Sequence, residues 1–222
     1  MTSAPGDGPR GTRRRRAVAV PLGALVVATG LGIVAAFGGL GDAPDKPPEQ
    51  LGPGASLDQE QFLTKFVESR STVEPGSFGA PGKRFVEIEM EVTNKGDATT
   101  RVGLPNDKGG DSSFFAGSLL KMAPEIKSEY GPTASASAEG VESNQLQPGM
   151  ATRVVIKYEL PDGQRAPERV RMDIGTFEFA AEGIILVPGW HLATEDGDGS
   201  ARPPLTVAAQ VTLPVQPKGT SG

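Results

Sequence analysis

The chain has 222 residues, a formal charge of −5 and no cysteine. That length leaves room for one domain beside an anchoring segment, and the missing cysteines exclude disulfide staples, a lipid-modified Cys and a thiolate zinc site. The first sixteen residues hold five Arg against one Asp, so everything after them sums to −9, a balance that repels phosphate backbones and argues against nucleic acid as a partner.

Residues 1–16 read as a basic cytoplasmic arm suited to anionic inner-leaflet lipid. Residues 17–40 (AVAVPLGALVVATGLGIVAAFGGL) contain no charged side chain. As a helix rising roughly 1.5 Å per residue, they cover a bilayer core about 30 Å thick. Arg13, Arg14, Arg15 and Arg16 precede this run and mostly acidic charges follow it. The asymmetry predicts a single-pass cell-membrane protein with its N-terminus in the cytoplasm and its C-terminal part extracytoplasmic. A cleaved signal peptide is the alternative, with Val34-Ala35-Ala36 as the cut, although the apolar run exceeds the usual length. Ala24, Ala28, Gly32 and Ala36 make a small-residue row, the spacing through which two such helices could pair as a homodimer.

Residues 41–56 are rich in Pro and Gly and predict an extended linker. From residue 57 to 216 the apolar period is mostly two. Gln61–Thr72 fits a strand or a short helix, and the β-branched residues and Pro75-Gly76 that follow favour the strand. In Arg84–Asn94, Val86, Ile88, Met90 and Val92 point one way and Glu87, Glu89 and Glu91 the other. Asn94-Lys95-Gly96-Asp97 predicts a turn, Thr99–Leu104 a short returning strand, and Phe114–Met122 another strand. Ala123–Asn144, rich in Ser and Ala, reads as a surface loop. Ala151–Leu160 places Val154, Ile156, Tyr158 and Leu160 on one face. Arg169–Ala180 changes parity between Ile174 and Phe177, predicting a bulge near Gly175. Gly183–Val187 is short and apolar, Leu205–Val215 alternates throughout, and 217–222 is a disordered tail. Seven or eight short strands with no long amphipathic helix make the external part all-β, an antiparallel β-sandwich behind one transmembrane helix.

Val86–Asp97, a strand ending in V-x-N-x-G, resembles a hallmark of bacterial immunoglobulin-like domains. Leu146–Gly163 (LQPGMATRVVIKYELPDG) resembles their later L-x-P-G, strand, L-P-x-G segment. Together these resemble the immunoprotective-antigen-like family of unknown function, over residues 57–215. The resemblance implies an immunoglobulin-like sandwich and an extracytoplasmic binding or accessory role, and it brings no catalytic residues. In the strand order it implies, Ala151–Leu160 lies beside Arg84–Asn94, so Arg153 and Lys157 face the glutamates.

Candidate chemistry is sparse. His191 is the single histidine, and no nucleophile motif accompanies it. Glu195, Asp196 and Asp198 are weak Ca²⁺ candidates, since the residues after them break the calcium-loop pattern. Glu87, Glu89 and Glu91 lack an evident aromatic platform for sugar and read as a salt-bridged face. Trp190, following Pro188-Gly189, either caps the core or anchors an interface, with its loop running to Ala201. Phe114 and Phe115 face opposite ways in a strand, one in and one out. The expectation is therefore a non-enzymatic module without cofactor. It would dock a protein partner of the membrane or envelope through Trp190, His191, Phe114 and Phe115. The alternatives are a small-ligand, Ca²⁺ or carbohydrate site in the long loops, and a spacer or signalling ectodomain acting through the helix.

Overall fold

The computed structural model describes residues 47–76, 82–106, 113–128, 130–138, 140–182, 187–195 and 203–217. The arm, the expected membrane helix with its small-residue row, Asp196, Asp198 and the tail after Pro217 lie outside them. Among the described residues no helix is long and apolar enough to cross a membrane.

Fourteen strands make the described part all-β. They are β1 (Glu49–Leu51), β2 (Ser56–Asp58), β3 (Phe62–Glu74), β4 (Lys83–Asn94), β5 (Thr100–Arg101), β6 (Leu119–Ala123) and β7 (Thr133–Ala138). Then follow β8 (Val141–Ser143), β9 (Gln145–Leu146), β10 (Ala151–Glu159), β11 (Arg169–Gly175), β12 (Phe177–Glu182), β13 (Val187–Leu192) and β14 (Val207–Pro217). Ten of them share one hydrogen-bonded path, β6-β11-β14-β3-β4-β10-β7-β8, with β1 beside β14 and β2 beside β3. The path is folded into a sandwich at β14. Its first part pairs antiparallel with β11, and Val215–Pro217 pairs parallel with Ser69–Ser71 of β3.

Alternation sets the core. Val86, Ile88, Met90 and Val92 of β4 are fully buried, as are Val154 and Ile156 of β10 beside them. They meet Val170, Met172 and Ile174 of β11 and Ala209, Val211 and Leu213 of β14 in one apolar cluster. Each inward row is what a half-buried pleated strand requires. Phe62 sits at one end of this cluster. It is packed edge-on against Phe115 (ring centroids 5.3 Å apart) and Phe177 (5.1 Å). Such pairs contribute about 0.5–1.5 kcal/mol each beyond the area they bury.

Several expectations change. Glu49–Leu51, assigned to the linker, is a strand paired in parallel with Ala209–Val211, and Leu51 packs on the core. The reason is the side of β14 away from β11, whose backbone groups pair through the main chain and so need no apolar alternation in the added segment. Ala123–Asn144 is not a loop throughout. Thr133–Ala138 pairs with β10, Val141–Ser143 pairs with it in turn, and Ile126 and Ala136 are fully buried. Phe114–Met122 begins as a 3-10 turn at Phe115–Ser118 and becomes a strand only at Leu119. Its backbone is held by Ala116 N–H donating to Val102 O (2.7 Å) and Gly117 N–H to Phe114 O (3.0 Å). Thr99–Leu104 contracts to the two residues of β5, paired with β9. The shift near Gly175 is present, and there the chain leaves the large sheet to enter the separate β12–β13 hairpin.

Candidate functional site

Two regions gather polar chemistry. The first is the outer face of β3, β4 and β10. Arg70 of β3 forks across it, with Nε donating to Glu87 (2.8 Å) and Nη1 to Glu68 (2.7 Å) and Glu89 (2.9 Å). Arg153 of β10 holds Glu89 with two bonds of 2.7 Å. Lys157 bonds Glu74, lies 3.3 Å from Glu87 and covers the Phe85 ring. Burial pushes the Glu87 carboxyl up, but hydrogen bonds from Arg70 and Thr72 and the Lys157 charge outweigh it and hold the group below the usual carboxylate range. The Arg153 hydrogen bond, with Arg70 adding to it against a burial cost, holds Glu89 low as well. The expected facing of Arg153 and Lys157 onto the glutamates is therefore present. Arg70 comes from the other neighbouring strand, and an ordered pairing on one side alone could not supply it. Glu87 and Glu89 thus have their acceptors occupied and their charges offset by Arg70, Arg153 and Lys157 within the chain.

The second region is a cleft of about 280 Å³ at the β5–β9 end of the fold. Gln61, Gly96, Asp97, Thr99, Phe114, Trp190 and His191 are among its lining residues. Three of the four docking candidates thus meet at one place, Phe114 joining the adjacent pair Trp190 and His191 from far along the chain. Phe115 does not join them, being buried against Phe62.

The local sequence explains each wall. Asn94, fully buried, donates to Ala98 O (2.8 Å) and Leu146 O (3.1 Å) and accepts from Gly96 N–H (2.9 Å). It also bridges to Pro148 and takes a bond from Gly149 N–H. Asn94 therefore curls the 94–99 loop and joins the two motif segments. A Cβ on Gly96 would sit 3.1 Å from Asn94 Oδ1 and 3.7 Å from Trp190 Nε1, so the loop comes close to the indole. Phe114 is set by Gly103, whose φ is +73° and where a Cβ would lie 2.6 Å from Phe114 Cβ.

Gln61 enters from a strained turn. Gln61 N–H donates to Gln59 O (2.8 Å), a three-residue γ-turn that puts Glu60 at φ +66°. The turn is clamped on both sides. Lys95 Nζ reaches both Asp58 oxygens at 2.6 and 2.8 Å, and that bond holds the Asp58 carboxyl below its usual range. Gln59, fully buried, donates to Gly175 O (2.8 Å) and accepts from Thr64 (2.6 Å). Gln61 itself is 5 % exposed, and its Oε1 has no hydrogen-bond partner.

Trp190 and His191 lie in β13, not in a loop, because Phe177–Glu182 offers a complete antiparallel partner through Pro188-Gly189. Trp190 is half-buried, packs on the core cluster and meets the Phe179 ring at 5.5 Å, edge to face. Phe179 itself is 61 % exposed. Glu195 is exposed, and no cluster of three or more His, Asp or Glu suited to a metal occurs among the described residues. Gln61 and Asp97 were missed in the sequence. The signal available was the V-x-N-x-G turn, which marks a structured loop but not what faces it.

No protein-family model matches the chain, and no curated protein matches it. Among solved structures it is similar to an uncharacterized beta-sandwich protein from Clostridium difficile 630. The TM-score is 0.39 at 10% identity, covering 79% of this chain and 99% of that one. So distant a likeness says nothing about function.

Proposed function

We propose that the protein is a non-enzymatic binding module, held at the cell membrane by residues 17–40 and presenting an immunoglobulin-like sandwich outside, which docks a protein partner of the membrane or envelope. The observation that carries the docking reading is the Phe179–Trp190 pair beside the cleft. An exposed Phe backed by a half-buried Trp on a packed hairpin is the kind of rigid aromatic anchor that dominates interface energetics. The uncharged run 17–40 behind four arginines supports the topology. The immunoglobulin-like assignment rests on the two motif segments meeting at Asn94 and on the β4–β10 pairing.

The test is a photo-crosslinking side chain at position 179 in membranes of intact cells. A discrete crosslinked protein, lost on Trp190→Ala in a variant that still folds, is the expected result. Recovering only lipid and self-crosslinks, or a product indifferent to Trp190→Ala, overturns the docking surface. Protease added to intact cells should cut the sandwich; protection until the cells are opened would reverse the topology.

A further inference from the structure

We propose that the cleft between Trp190 and Asp97 binds an alkylammonium group, supplied by a lysine side chain of the partner protein. The identity of the occupant as a lysine rests on the docking reading above, whereas the ammonium site itself rests on the cleft. The argument starts from which polar groups are left over. Gln61 is nine-tenths buried on the cleft wall, and its Oε1 is an unpartnered acceptor. Such an orphan is uncommon in folded proteins and costs the desolvation of the group. This oxygen has almost no accessible surface, and the terminal torsion of a glutamine is broad, so the amide must turn for it to meet a donor in the cleft. Asp97, exposed on the same cleft, makes no ion pair or hydrogen bond among the described residues. Thr99 donates its hydroxyl proton to Gln147 Oε1 (2.6 Å), which leaves its lone pairs toward other donors. Gln61 Oε1 thus lacks a donor within the chain, while Asp97 and Thr99 face solvent with acceptors open to a ligand.

An ammonium carries three donors and no acceptor, and its positive charge is the counterpart that Asp97 has not found among the described residues. Trp190 and Phe114 both line the cleft, and an indole is the aromatic ring that attracts cations most strongly. A carboxylate or phosphate would meet Asp97 with no lysine or arginine among the described lining residues to offset it. A cleft of about 280 Å³ is room for the end of one side chain rather than for a folded segment. The charge of −9 beyond the basic arm draws cationic partners to this module in general. The γ-turn at Glu60 adds a reason for the position of Gln61. Backbone strain is retained where the surrounding structure needs the displaced residue, and the residue displaced here carries the orphan acceptor.

The chain has a single Trp, so tryptophan emission, excited on the red side of tyrosine absorption, reports on the surroundings of Trp190. The full chain in detergent micelles is titrated with Nα-acetyl-lysine amide, n-butylammonium and n-butanol. A saturable change is expected with the two amines and not with the alcohol. Asp97→Asn and Gln61→Met should each weaken amine binding about tenfold, and Val141→Ser on β8 should not alter it. Gln61→Met must also melt no lower than the parent, which separates a ligand role from a packing role. No saturable change, equal responses to butanol and butylammonium, or indifference to both cleft variants overturns the site. Butylammonium binding tenfold tighter than the lysine amide overturns the lysine assignment and points to free amines. Amine binding without a crosslinked partner leaves the site and removes the docking reading. A crosslinked partner without amine binding does the reverse.

Discussion

The outer face of β3, β4 and β10 and the Trp190 cleft are both polar, yet their arrangements are opposite. On the face, Arg70 alone serves Glu68, Glu87 and Glu89, and Arg153 and Lys157 close the ladder from β10. In the cleft, Gln61 Oε1 lacks a partner and Asp97 stands without a cation among the described residues. A group satisfied within its own chain is spent on stability. One left unsatisfied at a cost is the better candidate for reaching another molecule.

Substitutions on each side break or sharpen this contrast, and the largest effect belongs to the face. Arg70→Met should cost about 2–3 kcal/mol, below the range for full burial because the side chain is 19% exposed. Thermal unfolding would show this as a fall of about 4–10 °C. A loss under about 0.5 kcal/mol would make the ladder mere surface decoration. The pH dependence has a definite sign. Glu87 and Glu89 are held below the unfolded carboxylate range, so their stabilisation is complete above that range and lost as pH falls through their folded values. Acid unfolding of the parent should therefore steepen below about pH 4, and Arg70→Met should flatten that limb.

Next in size is Gly103→Ala. Its positive φ and the 2.6 Å approach to Phe114 Cβ predict a loss of about 1–3 kcal/mol and a displaced Phe114, visible in denaturant melts and in Trp190 emission. Glu60→Gly should go the other way, gaining up to about 1 kcal/mol by relieving the left-handed residue. A loss there would show that the Glu60 side chain supports the turn. The smallest effect is Gln61→Met, neutral or stabilising by under about 1 kcal/mol because an unpaired acceptor disappears. Clear destabilisation would return Gln61 to the structural side of the comparison.

The sandwich was legible where alternation was long. Val86 to Val92, Val154 to Leu160 and Ala209 to Leu213 announced both period and face, and the glutamates opposite Arg153 and Lys157 followed from the pairing order. Thr133–Ala138 (TASASA) was not legible as a strand, since small residues give no apolar contrast even where Ala136 is fully buried. Glu49–Leu51 has no local signal at all; its strand state comes from the flank of β14. The aromatic members of the cleft were legible by type, as a lone Trp and an adjacent Phe pair. The polar members were not, because Gln61 and Asp97 become neighbours of Trp190 only through the γ-turn, the Asn94 loop and the β12–β13 hairpin. No periodicity encodes a meeting of a turn, a loop and a hairpin.

The route of β14 has a consequence for how the molecule is made. That strand touches β11, β3 and β1, and it is translated after all of them. Neither half of the sandwich is finished until it arrives, so its partners wait with open flanks while the chain emerges. A late, long-range closure of this kind is slow. On the topology proposed above, it would suit a chain that crosses a translocation pore unfolded and acquires its shape only on the far side.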